Sequence, residues 1–262
     1  MNRSPVLREW TPEQIAALAL SHPKLLIMTD FDGTLVPIRE RPEYALPSPG
    51  ILKTLSRLTA GRRATLAVVS GRDVGELKRL IPVDGIYLVG CHGAEYIYPG
   101  GEKISVVDGE KLDPFLDLVA GMAADAVAKE EGFILERKKA AFAMHYRLAD
   151  PVSALRVVSG FTVKVRPLIV KCGFVLMYGR KVVEVRPRYV NKGKAVKRLM
   201  QLNPGCFPVY LGDDVADEDA FRVIQAHGMG VLVSESGKST AACCRLRDQR
   251  EVLRFLQIVS SR

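Results

Sequence analysis

Short apolar runs that end in polar, glycine-bearing corners recur along this chain. Leu25-Leu26-Ile27-Met28, Ala64 to Ser70, Ile86 to Val89, Val209-Tyr210-Leu211 and Gly230 to Val233 are continuous rather than alternating in apolar residues. That is the pattern of parallel strands covered on both faces. Segments of helical period lie between them. Thr11-Pro12-Glu13-Gln14 reads as a capping box with proline at the first helical position, starting a helix through Leu20. Ser48-Pro49 starts another, with Ile51, Leu52, Leu55 and Leu58 on one face. Asp73 caps a third and Asn191 opens a fourth. A helix then runs to about His227, and a last one from about Gln249 to Ile258. Strand-helix-strand alternation of this kind implies an α/β fold, a Rossmann-like parallel sheet wrapped by helices.

The middle of the chain follows another pattern. From about Val107 to Pro187 it reads helix, two strands, helix, two strands, with Asp113-Pro114 capping the first helix. Phe133 to Lys138 and Ala141 to Arg147 form one strand pair, and the second pair flanks a hairpin turn at Gly179-Arg180. Such a block suits a small α+β domain inserted into the core, giving 1–107 with 188–262 as core and 108–187 as insert. Side chains alternate across a strand. Glu136 therefore shares a face with Lys138, His145 with Arg147, and Glu184 with Arg186, while Phe142, Met144, Tyr146, Val183 and Val185 supply the opposite, apolar face. If the strands join one sheet, six polar groups converge. Alternation alone favours a plainer outcome, a solvated face with cross-strand ion pairs.

Composition narrows this little. The chain has 262 residues and a formal charge of +9. That charge raises nucleic acid as a partner. The basic residues are dispersed, however, with Arg62-Arg63, Arg137-Lys138-Lys139 and Arg180-Lys181 far apart and no aromatic interleaving. A solvated basic surface that attracts an anionic small molecule fits better. Cys91, Cys172, Cys206, Cys243 and Cys244 form neither a zinc spacing nor a disulfide framework, which fits a reducing cytoplasm. No apolar leader and no membrane-spanning run is expected. Ser236-Gly237-Lys238-Ser239 invites a nucleotide-loop reading, but the glycine needed five residues before Gly237 is Leu232.

The chemistry sits where apolar runs end. Asp30-Phe31-Asp32-Gly33-Thr34 follows the first strand. Val68-Val69-Ser70-Gly71-Arg72 ends the second, Asn191-Lys192-Gly193-Lys194 opens a helix, and Gly212-Asp213-Asp214 ends a later strand ahead of Asp217-Glu218-Asp219. Two carboxylates at the end of a buried strand are costly to place without a role. One can attack phosphorus and the other can move protons. A hydroxyl, an ammonium and further acids complete what a magnesium-dependent phosphoryl transfer needs, and open α/β sheets bind ligands at their strands' carboxyl ends.

These four segments resemble the four motifs of the haloacid dehalogenase superfamily of phosphohydrolases. More narrowly, Asp30 to Ile38, Gly90-Cys91-His92-Gly93-Ala94-Glu95, His145-Tyr146-Arg147, Glu184-Val185-Arg186-Pro187 and Gly212 to Phe221 resemble the trehalose-6-phosphate phosphatase family. Ala216 departs from the threonine usual there. The resemblance implies that the core is of the haloacid dehalogenase type and the insert is a cap. It implies an aspartyl phosphate formed on Asp30, with Asp32 as acid and base. It places Ser70, Gly71 and Arg72 with the phosphate and Lys192 as its neutralising cation. It implies Mg2+ against the Asp30 carboxylate, the Asp32 backbone carbonyl and Asp213. Asp214 belongs to the expected metal set, and both it and Asp217 stay open between ligation through water, holding Lys192 and capping the next helix. Glu136, Lys138, His145, Arg147, Glu184 and Arg186 are implied to read the disaccharide. His92 stays outside the catalytic set. The expected activity is hydrolysis of trehalose 6-phosphate by a cytoplasmic monomer with no nucleic-acid or membrane partner. The alternatives are a phosphatase of the same fold for sucrose or glucosylglycerate phosphate, a phosphomutase, a noncatalytic sugar-phosphate sensor and a nucleic-acid binder.

Overall fold

The structure is a computed structural model that describes residues 7–237 and 239–261. Lys238, in the loop considered for nucleotide, lies outside the described residues. In chain order the first elements are β1 (Arg8–Glu9), α1 (Pro12–Leu20), β2 (Leu25–Thr29), α2 (Pro49–Ala60), β3 (Ala64–Val69), α3 (Val74–Leu80), β4 (Ile86–Gly90), β5 (Glu95–Ile97) and β6 (Lys103–Ser105). Then come α4 (Gly109–Val127), β7 (Ile134–Arg137), β8 (Phe142–His145), α5 (Pro151–Cys172), β9 (Phe174–Gly179) and β10 (Val182–Pro187). The last are α6 (Lys192–Leu202), β11 (Phe207–Gly212), α7 (Glu218–Ile224), β12 (Met229–Val233), β13 (Cys244–Leu246) and α8 (Gln249–Ser260).

Two compact units result. One joins the chain up to Ile104 with the chain from Asn191 onward, and the other is Ser105–Val190. The second unit is slightly longer at both ends than the expected 108–187. At its far end the Arg188 N–H donates to the Gly173 carbonyl, and the Arg186 guanidinium donates to the Val190 carbonyl. Residues 188–190 are thereby tied to the insert.

The first unit carries a nine-stranded sheet in the order β1-β13-β12-β11-β2-β3-β4-β5-β6. From β1 to β4 all pairs are parallel, and β5 runs antiparallel to β4. The period of two in β2 divides the core. Leu25 and Ile27 face one side, packed with Ile15 of α1, Leu55 of α2 and Phe255 of α8. Leu26 and Met28 face the other, packed with Val196 and Leu199 of α6 and Phe221 of α7. Thr29 pairs with Leu211 on one side and Val68 on the other, so the central strands end level. That register brings Asp30, Ser70 and Asp213 to one edge of the sheet.

The second unit is a four-stranded antiparallel sheet, β7-β8-β10-β9, with α4 and α5. Phe142, Met144, Val183 and Val185 are buried on its apolar face, where the Phe142 and Phe161 rings lie 6.3 Å apart. Two expectations are corrected here. The first helix starts at Gly109 with Asp108 in the N-cap position, and Pro114 falls inside it. Leu112 and Leu116 are buried one turn apart, so packing carries the helix past the proline. The hairpin turn is Arg180-Lys181, because Gly179 already pairs with Val182, and Lys181 takes φ 62°. Among the described residues, no helix is long and apolar enough to cross a membrane.

Phe255 is fully buried against the central sheet. Phe255→Ala is expected to destabilise the first unit by about 3–5 kcal/mol, read as a lower urea midpoint.

Candidate active site

The turn after β2 makes the first half of the site. Asp30 N–H donates to the Leu211 carbonyl at 2.8 Å, which keeps Asp30 in register with β11. Gly33 follows at φ 89°, and a Cβ there would lie 2.3 Å from an Asp213 carboxylate oxygen. Glycine is therefore required twice, for its backbone conformation and for space. Thr34 donates to Asp213 Oδ1 at 3.4 Å. Asp30 and Asp213 are both buried, and oxygens of Asp30, Asp213 and Asp217 come within 4.8 Å of one another.

Lys192 closes this cluster. Its Nζ lies 2.7 Å from Asp30 Oδ1 and 2.7 Å from Asp217 Oδ1. Asp217 is saturated. Tyr210 OH donates to Oδ1 at 2.6 Å, while the Asp213 and Asp214 N–H groups donate to Oδ2 at 2.9 Å each. Of the uses left open for Asp217, the structure shows it holding Lys192 and capping the turn that leads into α7. Burial works against the Lys192 ammonium, but Asp217 and Asp30 carry its pKa above the ordinary lysine value. Burial would raise Asp217 as well, and Lys192 and its other donors hold it below the ordinary carboxylate range. Asp30 moves the other way. Burial, with the Asp217 and Asp213 charges, pushes its carboxyl well up against the pull of Lys192.

Asp214 does not join the three acids. It is half-buried, and its carboxylate accepts from Val215 N–H at 2.8 Å as a turn cap. Lys194 is exposed on α6.

Asp32 and Arg72 meet as a bidentate pair. Arg72 Nε lies 2.7 Å from Asp32 Oδ2, and Nη2 lies 2.8 Å from Oδ1. The side chain of Arg72, one of the residues implied to lie with the phosphate, is engaged by Asp32, Glu76 and the Pro42 carbonyl. Ser70 is buried, and its Oγ accepts from Arg72 N–H at 3.2 Å. The loop after β4 clasps this segment, with Cys91 N–H donating to the Arg72 carbonyl at 2.7 Å and His92 N–H to the Ser70 carbonyl at 2.8 Å. Cys91 and His92 hold φ 47° and 57° in succession. Consecutive left-handed residues that are not glycine are strained and concentrate at functional sites. The His92 ring packs on Gly71 so closely that a Cβ there would lie 2.7 Å from Nε2.

In the second unit, Glu136 and Glu184 both register against Ala143 of β8, so they share one face of the sheet. His145 Nε2 lies 2.9 Å from Glu136, and Lys138 Nζ lies 3.2 Å from Glu184 and 3.7 Å from Glu136. Burial would raise the Glu136 pKa, but the His145 hydrogen bond and the Lys138 charge hold it below its ordinary value. Glu184 and Arg186 are buried. Arg147 lies past the end of β8, where its guanidinium donates to the Arg180 carbonyl at 2.9 Å.

Residues 28–250 match the Trehalose-phosphatase family. The chain belongs to that family. It is 36% identical over 241 residues to an uncharacterized glycosyl hydrolase of Mycobacterium tuberculosis, covering 88% of this chain and 18% of that protein. It is 31% identical to the trehalose-phosphate phosphatase of Mycobacterium marinum, covering 93% of this chain and 64% of that protein. The chain thus spans less than two thirds of either relative. The C-terminal domain of the C. albicans trehalose-6-phosphate phosphatase superposes with a TM-score of 0.88 at 25% identity, covering 99% of each chain. The fold is accordingly the haloacid dehalogenase type of α/β core with an inserted cap.

In this member of the trehalose-phosphatase family, sequence reasoning missed three features. Tyr210 sits inside an apolar strand, so nothing marked its hydroxyl. The Arg72–Asp32 pair joins segments with no shared pattern. Glu218 accepts from Thr240 OH at 2.6 Å and Ala241 N–H at 2.9 Å, pinning the loop after β12; a charged residue in a first helical turn reads as ordinary. Asp217→Ala removes one of the two carboxylates on the Lys192 ammonium and leaves the Tyr210 hydroxyl and two backbone N–H groups without their acceptor; it should destabilise the first unit by about 3–5 kcal/mol, measured by chemical denaturation with or without divalent cation.

Proposed function

We propose that this chain hydrolyses trehalose 6-phosphate to trehalose and phosphate through an aspartyl phosphate on Asp30. The observation that carries this reading is a buried carboxylate at the level ends of parallel strands, held 2.7 Å from a single ammonium, in a chain of the trehalose-phosphatase family. The Asp30 carboxylate attacks phosphorus, forming an O–P bond as the sugar O–P bond breaks. Asp32 gives its proton to the departing sugar oxygen. In the second step Asp32 takes a proton from water as that water attacks phosphorus, which frees phosphate and restores Asp30. Lys192 balances the charge that builds on the transferring group. The Ser70 hydroxyl and the Gly71 backbone bind phosphate oxygens.

The acids suit Mg2+. Three buried carboxylates face one ammonium, so the cluster carries excess negative charge, and its donors are hard oxygens. Asp217 is committed to other partners, so the Asp30 and Asp213 carboxylates with the Asp32 carbonyl would hold the ion, and Asp214 would act at most through water. When bound, the cation neutralises phosphate charge.

For the second unit, we assign sugar recognition to Glu136, Lys138, His145, Arg147, Glu184 and Arg186. Carboxylates accept from sugar hydroxyls while His, Lys and Arg donate. The mutual pairing of Glu136, His145, Lys138 and Glu184 supports the assignment, because it holds a polar set in place on one sheet face before any ligand arrives.

Phosphate release from a panel of sugar phosphates with Mg2+ is expected to favour trehalose 6-phosphate, and to vanish with EDTA or in Asp30→Asn. Comparable rates across the panel would leave the phosphatase chemistry and discard the sugar assignment. Glu184→Ala should lower kcat/KM for trehalose 6-phosphate roughly 10–100-fold while sparing a small aryl phosphate; equal losses on both would remove Glu184 from the sugar site.

A further inference from the structure

We propose that Arg72 is a positioning residue, whose fork fixes the carboxylate of Asp32 in the orientation that proton transfer requires. The proposal rests on the phosphatase reading above, in which Asp32 is the acid and base.

Arg72 is only 6% exposed, whereas the Asp32 side chain is 36% exposed. The guanidinium is fixed from several directions. Nη1 is held by Glu76 in the first turn of α3, Nη2 also donates to the Pro42 carbonyl at 2.7 Å, and the Phe31 ring lies beneath, 5.1 Å from its centroid to Cζ. Its N–H groups are therefore committed to protein acceptors, and it has little left to offer a phosphate. What it does offer is a rigid planar fork, matched to one carboxylate.

A carboxylate has about four lone-pair positions on its two oxygens. Arg72 occupies one on each oxygen. Because the Asp32 side chain stays 36% exposed, positions remain for a partner outside the protein. The group is thus gripped by Arg72 and still open to that partner, as suits a proton carrier whose partner changes between the two steps. The same short segment supplies Ser70, whose Oγ accepts from the Arg72 N–H. One turn therefore places both a phosphate-binding hydroxyl and the clamp on the acid–base group.

The consequence depends on the leaving group. A sugar alkoxide is a poor leaving group and needs its proton delivered in place. A dinitrophenolate departs without one. A clamp on Asp32 therefore matters for the first step with a sugar phosphate, and not for the first step with an activated aryl phosphate. A residue that bound phosphate or merely held the fold would affect both alike.

The experiment is single-turnover cleavage of trehalose 6-phosphate and of 2,4-dinitrophenyl phosphate by the same Mg2+-loaded sample. The ratio of the two rates does not depend on how much of a variant is folded. Arg72→Ala is expected to slow sugar-phosphate cleavage by about 10²-fold, leave the dinitrophenolate burst near the unsubstituted rate, and recover in part with added guanidinium ion. Arg72→Lys keeps the charge but not the fork and should show the same split. Glu76→Gln, which loosens the clamp without removing it, should show a smaller split in the same direction. Equal loss on both substrates, or loss on neither, overturns the proposal. An unsubstituted protein inactive on both would overturn the phosphatase reading, and the role of Arg72 with it.

Discussion

The ammonium of Lys192 is the constraint around which the first unit is organised. It is 3% exposed and sits at the first position of α6, where a helix N-terminus repels positive charge. Burial and helix dipole both oppose it. Asp30 and Asp217 offset them, each at 2.7 Å. One carboxylate follows the end of β2 and the other lies in the turn between β11 and α7, so the ion pairs tie α6 to both segments. Asp217 in turn is held by Tyr210 and two backbone N–H groups. Removing any member leaves a charge or a donor buried without its partner, which costs more than the interaction itself contributes.

Charge rather than shape sets the chemistry of this cluster. Three carboxylates and one ammonium do not balance, and that excess adds to burial in raising the Asp30 carboxyl. An arrangement so poor for stability in isolation is common where a cation and an anionic substrate complete it. Similar strain appears in the loop after β4, where Cys91 and His92 are left-handed in succession and their N–H groups hold the segment carrying Ser70 and Arg72.

The second unit solves a different problem with the same rule. One face of its sheet is buried through Phe142, Met144, Val183 and Val185, so alternation forces the residues between them to the other face. That face could have been a solvated surface of scattered ions. Instead Glu184 is buried, and Lys138 bridges toward both glutamates. The two arginines bond elsewhere: the end of β8 releases Arg147 toward the Arg180 carbonyl, and Arg186 donates to the Val190 carbonyl.

Local patterns alone determined much of this protein. Continuous apolar runs marked β2, β3, β4, β11 and β12, and the acids, hydroxyl and lysine at their ends marked the site, because a buried parallel strand and its polar exit are both written within a few consecutive residues. The period of two likewise placed Glu136, Lys138, His145 and Glu184 on one face. The start of helix α4 is not legible locally, since a proline is a strong local stop that only packing of Leu112 and Leu116 overrides. The short strands β5, β6 and β13 lack a run long enough to signal themselves. Tertiary structure decided the pairings: that Arg72 grips Asp32, that Tyr210 and Lys192 share Asp217, and that Asp214 caps a turn instead of joining the three acids. Asp32 and Arg72 stand 40 residues apart in the chain, and which of many charges meets which depends on strand order and register, properties of the folded sheet that no local window contains.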